Sequence, residues 1–283
     1  MPELPEVETV RRGLEERLKN FHVKDIQVLT HRTISSQGSA DVFIQSIKGL
    51  VFGNWTRRGK YLICFLESQD SSDHAGWLVV HLRMTGQFKW IQSAQIACRH
   101  TRVRFWNKEG NEIRFIDTRN FGQMWWISPE SLPKEKINGL KQLGPEPFSS
   151  NFNPIYLKES LKNRKRSIKA SLLDQSVVAG AGNIYADESL FEAGILPTKE
   201  SRTLNEIEIT KLCNALTKVL KISIGKGGTT FKDFRDLEGI NGNYGGQAWV
   251  YGRGNKSCKK CGSKIIKSKI CGRGTHWCPS CQK

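Results

Sequence analysis

No apolar run in this 283-residue chain approaches the roughly 20 residues of a membrane-spanning helix, and no apolar segment with a cleavage site opens it. A spanning protein and a secreted one are both unexpected, and the reading is of a soluble protein that works in the compartment where it is made. Acidic residues are scarce against basic ones: 27 Asp+Glu face 44 Lys+Arg, for a net charge of +17 and a pI near 9.6. That imbalance calls for a polyanionic partner, nucleic acid first. Internal repeats and low-complexity tracts are missing too, so a solenoid is excluded. The 38% hydrophobic content suits a globular chain long enough for two domains with cores. The eight cysteines show no disulfide framework: four bunch at the C-terminus, while Cys64, Cys98, Cys213 and Cys271 are scattered. Reduced thiols in a cytosol fit this usage.

What is present begins at the first eight residues, Met1-Pro2-Glu3-Leu4-Pro5-Glu6-Val7-Glu8. Removal of Met1 would leave Pro2 as a secondary amine beside the acid Glu3. An α-amino group titrates near 7.7–8 against about 10.4 for lysine, so its nucleophilic fraction at neutral pH is about a hundredfold larger. Such an amine attacks an aldehyde-like carbon to give an imine. The plainer reading is helix initiation, with Pro5 at the first helical position and Glu3, Glu6 and Glu8 at the positive end of the dipole.

Val7, Val10, Leu14 and Leu18 then mark one face of an amphipathic helix. From about Lys24 to Ile127 the pattern shortens to strands: Tyr61–Leu66, Trp77–Leu82, Thr101–Trp106, Glu112–Asp117 and Gly122–Ile127. The expected fold is α+β, an N-terminal β-sandwich or flattened barrel over residues 1–140 with the helix on its flank. Residues 141–154 carry three prolines without periodicity and read as a linker. A helical domain over 155–246 follows, with helices at Ile155–Leu161, Ile168–Leu173, Ile184–Ala193 and Leu204–Ile224. The last is expected to start at a Thr203-x-x-Glu206 capping box and to stop at Gly225. The glycine-rich stretch Lys226–Gly246 reads as a mobile loop, and residues 247–283 as a separate metal module.

Cys258-Lys-Lys-Cys261 and Cys278-Pro-Ser-Cys281 lie sixteen residues apart, the spacing of a Cys₄ zinc site. One structural Zn²⁺ is expected, with Cys271 outside the ligand set. Between the pairs, Arg273 reads as an exposed cation at a hairpin tip, suited to a phosphate. Lys162, Arg164, Lys165, Arg166 and Lys169 put five cations into eight residues ahead of Gly180-Ala-Gly182-Asn183, a turn whose free N–H groups also suit phosphate. In the first domain Lys60 enters a strand. Met84 and Phe121 read either as core side chains or as wedges between bases, and Arg119 as a base-reading fork. His100 is either a phosphate contact or a loop residue.

The opening Pro2-to-Glu8 stretch, Arg58-Gly-Lys60-Tyr61, His81-Leu-Arg-Met84-Thr-Gly, Asp117-Thr-Arg119-Asn-Phe121-Gly122, Gly182-Asn183-Ile-Tyr-Ala-Asp187-Glu188 and the Cys₄ module together resemble bacterial formamidopyrimidine-DNA glycosylase, of the Fpg/Nei type. The resemblance runs from residue 2 to the end in one order. It implies a β-sandwich, a helix-two-turn-helix domain and a zinc-ribbon hairpin. It also implies a bifunctional glycosylase and abasic-site lyase that excises oxidised purines, chiefly 8-oxoguanine and formamidopyrimidines, from damaged double-stranded DNA. By that matching Pro2 would be the nucleophile and Glu3 the acid that protonates the opening sugar. Lys60 would serve the first elimination and Arg273 the second. Met84, Arg119 and Phe121 would fill the gap left by the flipped base and read the orphan cytosine. His100, Arg164, Asn183 and Arg273 would hold phosphates with help from Lys169, and Glu6 would line the pocket. The loop after Gly228 would cap the extruded base. One active site per chain requires no dimer, so a monomer is expected. Alternatives are an endonuclease VIII-like enzyme for oxidised pyrimidines, or a zinc-containing DNA-binding protein without catalysis.

Overall fold

The computed structural model describes residues 1–36, 38–71, 73–229, 242 and 244–283. Most of the expected capping loop, 230–241 and 243, lies outside the described residues. Contacts divide the chain into two compact units, Met1–Lys141 with Gly227–Gly242, and Gln142–Lys226 with Asn243–Lys283.

The first unit opens with α1 (Leu4–Arg17). Glu3 is its N-cap, and the Glu6 carboxylate returns to the Glu3 N–H at 2.8 Å, so a donor that the helix leaves unpaired is satisfied. Pro5 is tolerated because first-turn N–H groups have no partner within the helix. Val7, Val10, Leu14 and Leu18 are buried, as their spacing requires.

Nine antiparallel strands follow among the described residues. β1 (Phe21–His22), β3 (Val51–Arg58), β4 (Tyr61–Glu67), β5 (His74–His81) and β9 (Gln123–Ile127) form one sheet in the order β1-β3-β4-β5-β9. β2 (Asp25–Val28), β6 (Gly86–Ile91), β7 (Thr101–Trp106) and β8 (Glu112–Asp117) form the other in the order β2-β7-β8-β6. Their apolar faces, among them Phe52, Leu62, Leu78 and Val80 on one sheet and Phe88, Phe105 and Phe115 on the other, share a single core with α1. The β-sandwich with a flanking helix is thus observed. β3 escapes the sequence pattern because the register shifts between Phe52 and Trp55, and Asn54 breaks the apolar alternation. A short helix α2 (Ala40–Ile47), capped by the Ser39 hydroxyl, was likewise not expected. α3 (Pro133–Lys136) and α4 (Asn138–Lys141) close the unit.

In the second unit residues 142–153 are held closely. Gly144 N–H donates to Gln175 O at 2.8 Å, the Thr217 hydroxyl to Pro147 O at 3.1 Å, and Phe152 is buried. α5 (Pro154–Leu161), α6 (Ile168–Leu173), α7 (Asn183–Ala193) and α8 (Glu206–Gly225) match the expected helices to within two residues. The cap of α8 is a correction. Thr203 lies in a 3₁₀ turn with its hydroxyl donated to Glu200 O, so the capping box falls to Asn205 and Glu208. α7 is buried without a break from Ile184 to Phe191, which makes it the centre of this unit. β10 (Ile266–Ile270) and β11 (Arg273–Trp277) pair as a hairpin on which the C-terminal cysteines are mounted. Among the described residues no helix is long and apolar enough to cross a membrane.

Candidate active site and nucleic-acid interface

In the first unit Pro2, Glu3 and Glu6 are all buried at the start of α1. One Glu6 oxygen accepts from Glu3 N and the other from Thr229 N at 2.7 Å. Gly228, at φ +78°, lies so close to this carboxylate that an added Cβ would stand 2.8 Å from Oε1. Glu6 therefore ties the residue beside Pro2 to the foot of the glycine-rich segment. One turn on, Glu8 binds the guanidinium groups of Arg11, Arg12 and Arg57 at 3.0–3.2 Å. Burial raises its pKa, but the three arginines outweigh burial and the net shift is downward.

Lys60 occupies a two-residue hairpin between the paired Arg58 and Tyr61, after Gly59 at φ +55°. A Gly-X pair with positive φ at its first position is what such a tight hairpin requires. The lysine is only 8% exposed. Beside it the Tyr61 ring meets His81 edge-on, with centroids 4.5 Å apart. His81 Nδ1 accepts Arg83 N–H at 2.9 Å. Burial first, and then the charges of Arg83 and Lys60, push the His81 pKa down to about 3, so the ring is neutral and free to accept.

Met84, Arg119 and Phe121, which are up to 37 positions apart in sequence, come together. Arg119 Nη1 lies 2.8 Å from Met84 Sδ, and its guanidinium sits 5.0 Å from the centre of the Phe121 ring. Phe121 is 41% exposed, a large apolar ring held out in water. Arg32 lies over the same ring at 5.8 Å, a neighbour not foreseen from the sequence. His100 reaches this cluster through the backbone, because its carbonyl accepts Asp117 N–H at 2.9 Å. The carboxylate of Asp117 was not singled out either. It accepts from Phe121 N, Gly122 N and Arg119 N.

The second unit holds the remaining candidates. Arg164 is half-buried, paired with Asp174 at 2.8 Å, and Arg166 binds the same carboxylate. Asn183, first residue of α7, donates its amide to Gly274 O at 2.9 Å. Lys169 is 1% exposed, its ammonium 2.6 Å from Asp187, 2.8 Å from the Thr275 hydroxyl and 3.1 Å from Gly274 O. That environment makes Lys169 a buried brace for β11. Asp187 also accepts His276 N–H at 2.9 Å, while Glu188 accepts the backbone N–H groups of Trp249, Val250 and Tyr251 at 2.8–2.9 Å. Burial raises the Glu188 pKa despite those donors. These adjacent acids on α7 hold both strands of chain that lead into the cysteine module. Arg273 itself is exposed, just after the tip Cys271-Gly272, where both residues have positive φ (48° and 76°).

The sulfurs of Cys258, Cys261, Cys278 and Cys281 all lie within 4.8 Å of one another, and Cys271 is not among them. A tetrahedron with Zn–S near 2.3 Å has edges of about 3.8 Å. The Cys261–Cys278 and Cys258–Cys281 separations, 3.4 and 4.0 Å, bracket that value. Hydrogen bonds from Ser263 hold Cys261 down to about 6, whereas burial and the neighbouring sulfurs push Cys281 up to about 12. Four sulfurs this close fit a metal ion, whose charge would allow all four to be thiolates together.

Comparison with known proteins places these features in context. Residues 1–124 match the formamidopyrimidine-DNA glycosylase N-terminal domain, and residues 143–235 match the H2TH domain of the same family. A formamidopyrimidine-DNA glycosylase of Prochlorococcus marinus is 72% identical over 283 residues, and one of Parasynechococcus marenigrum is 55% identical, each with both chains fully covered. Among solved structures, a Lactococcus lactis Fpg variant in complex with DNA containing Fapy-dG is similar at a TM-score of 0.91 and 33% identity, with both chains fully covered. MutM in complex with DNA containing carbocyclic 8-oxo-G is similar at 0.90 and 34%, again over both full chains.

Proposed function

Because the chain belongs to the formamidopyrimidine-DNA glycosylase family, a group of base-excision DNA repair enzymes, we propose that it excises 8-oxoguanine and formamidopyrimidines from duplex DNA and then cuts the strand by β,δ-elimination. The observation that carries this reading is the buried pair Pro2-Glu3 at a capped helix start, in the same unit as Lys60 and the cluster of half-buried Met84 with exposed Arg119 and Phe121.

With Met1 removed, the Pro2 nitrogen forms a bond to C1′ of the damaged nucleotide. The glycosidic bond breaks, and its electron pair leaves with the base, which takes a proton. Glu3 protonates the ring oxygen as the C1′–O4′ bond opens, leaving an iminium on Pro2. Loss of a C2′ proton, assisted by Lys60, expels the 3′-phosphate. A second elimination, served by Arg273, expels the 5′-phosphate and leaves a one-nucleotide gap, and water then releases the sugar fragment from Pro2. Access to C1′ requires the base to leave the stack, at a cost of a few kcal/mol that is lowest for a damaged pair. Met84 and Phe121 would occupy the vacated space, while Arg119 reads the orphan cytosine. Phosphate contacts from His100, Arg164, Asn183 and Arg273 would offset the distortion.

Cys258, Cys261, Cys278 and Cys281 would hold one Zn²⁺. With four thiolates its shell would be closed, so the ion would supply folding energy and no chemistry.

A Lactococcus lactis Fpg has also been solved with DNA containing an oxidised pyrimidine, at a TM-score of 0.89 and 33% identity. The purine preference is therefore tested directly. The protein is trapped with borohydride on duplexes holding 8-oxoguanine opposite cytosine, or dihydrothymine. A cross-linked peptide beginning at Pro2, formed faster on the purine duplex, is expected. Faster trapping on dihydrothymine would point to an endonuclease VIII-like enzyme. No trapping on either duplex, nor on one with an abasic site, would leave only a DNA-binding protein.

A further inference from the structure

Asp117 is 1% exposed, and no ion pair with a cation compensates it among the described residues. Its carboxylate is instead surrounded by donors. Oδ2 accepts Phe121 N–H at 2.8 Å and Gly122 N–H at 2.6 Å. Oδ1 accepts Arg119 N–H at 3.1 Å and the hydroxyl of Thr85, and Arg119 N–H is shared with Thr85 Oγ1 at 3.0 Å. Thr85 follows Met84. The two loops that carry the Met84, Arg119 and Phe121 side chains are thus fastened to one buried carboxylate. Asn120, between Arg119 and Phe121, has φ +56°, a backbone state that the hydrogen bonds on either side of it maintain. The main chain of Asp117 adds a third link through its N–H to His100 O.

We propose that Asp117 is a positioning residue for opposite-base specificity, fixing Met84, Arg119 and Phe121 as one preorganised wedge before DNA arrives. The inference rests on the reading of these three as the wedge. A side chain already held in its bound geometry loses less freedom on binding, and a base-reading fork discriminates only while its direction is fixed. Asparagine has the same shape, but one of its two polar ends is a donor. Turned either way, it would set an N–H against a backbone N–H of the Arg119–Gly122 loop, at Arg119 or at Phe121 and Gly122, and loosen that loop.

The test compares wild type, Asp117→Asn, Thr85→Val and Arg119→Ala. Excision rates for 8-oxoguanine opposite cytosine and opposite adenine are measured, together with borohydride trapping on a single-stranded abasic oligonucleotide, which has no orphan base to read. Asp117→Asn should lower the cytosine-to-adenine preference about tenfold, within the range of one lost base-reading contact, while single-strand trapping stays within about twofold. Thr85→Val, which removes only the link to the Met84 loop, should lower the preference less and keeps the test intact if Asp117→Asn does not fold. An unchanged preference in Asp117→Asn, or in Thr85→Val if it alone folds, overturns the inference when Arg119→Ala abolishes the preference. An equal fall in every activity, single-strand trapping included, also overturns it, since that is the mark of general structural support. If Arg119→Ala leaves the preference intact, the wedge reading itself fails.

Discussion

Lys169 Nζ lies 2.6 Å from Asp187 Oδ1, and neither side chain is more than 1% exposed. The pair joins α6 to α7, and through Thr275 and Gly274 it also holds β11, the strand that begins at Arg273. A lysine that could be taken for a phosphate contact is thereby committed to the interior.

Removing one partner of a buried pair leaves the other charge unpaired. Lys169→Ala should therefore cost about 3–5 kcal/mol in urea unfolding, and the double change Lys169→Met with Asp187→Leu should recover only part of it, because the buried His276 N–H then loses its acceptor. A purely phosphate-binding lysine would instead leave stability unchanged and make DNA affinity less dependent on salt.

His81 stays neutral in the folded chain down to about pH 3, whereas in the unfolded chain it gains a proton near 6.5. Below 6.5 the unfolded state binds more protons, so stability falls as the pH falls from there toward 3. Between pH 7 and pH 5 this group alone should remove about 2 kcal/mol. The difference between wild type and His81→Gln in urea midpoint at the two pH values isolates it.

A Cβ on Gly122 would stand 2.6 Å from the Phe115 ring and 3.1 Å from Asp117 Oδ2. Phe115 is fully buried and has little room to yield. Gly122→Ala should destabilise the first unit by about 1–3 kcal/mol through overpacking, read as a lowered thermal midpoint.

If the four cysteines hold the proposed zinc, strong chelation or Cys258→Ser should release it and unfold the C-terminal hairpin. Trp249 and Trp277, the tryptophans of this module, report the loss through fluorescence, and metal analysis should fall from one zinc per chain. Because Cys271 is exposed and outside the sulfur cluster, Cys271→Ser should leave the metal content unchanged.

β7 and β8 were legible to the residue because each is a short run rich in apolar and aromatic residues, with the turn residues Gly110-Asn111 between the two. α1 was legible because its apolar residues return every three or four positions and its first turn carries its own cap. β3 was hidden by the register shift between Phe52 and Trp55, where Gly53 and Asn54 interrupt the apolar alternation. The start of α8 was misplaced because Thr203 and Asn205 are both good caps, and only the 3₁₀ turn that takes the Thr203 hydroxyl decides between them. At the candidate site Pro2-Glu3 and the cysteine pairs stand out because their chemistry is carried by neighbours in the chain. Asp117 does not, since what its carboxylate holds lies up to 32 positions away, and Glu6 is marked as a pocket residue by the resemblance alone, with no sign of the Thr229 N–H it holds 223 positions away.

The sequence by itself determined the kinds of element, the charge that selects a polyanion, and the metal spacing, because period, composition and short-range spacing are local properties. Only the tertiary structure decided that Lys169 faces inward to Asp187, that Glu6 ties α1 to Thr229, and that Met84, Arg119 and Phe121 meet around Asp117. Whether a polar side chain serves solvent, a ligand or another part of the fold depends on which donors and acceptors packing brings beside it, and that is a property of the folded chain.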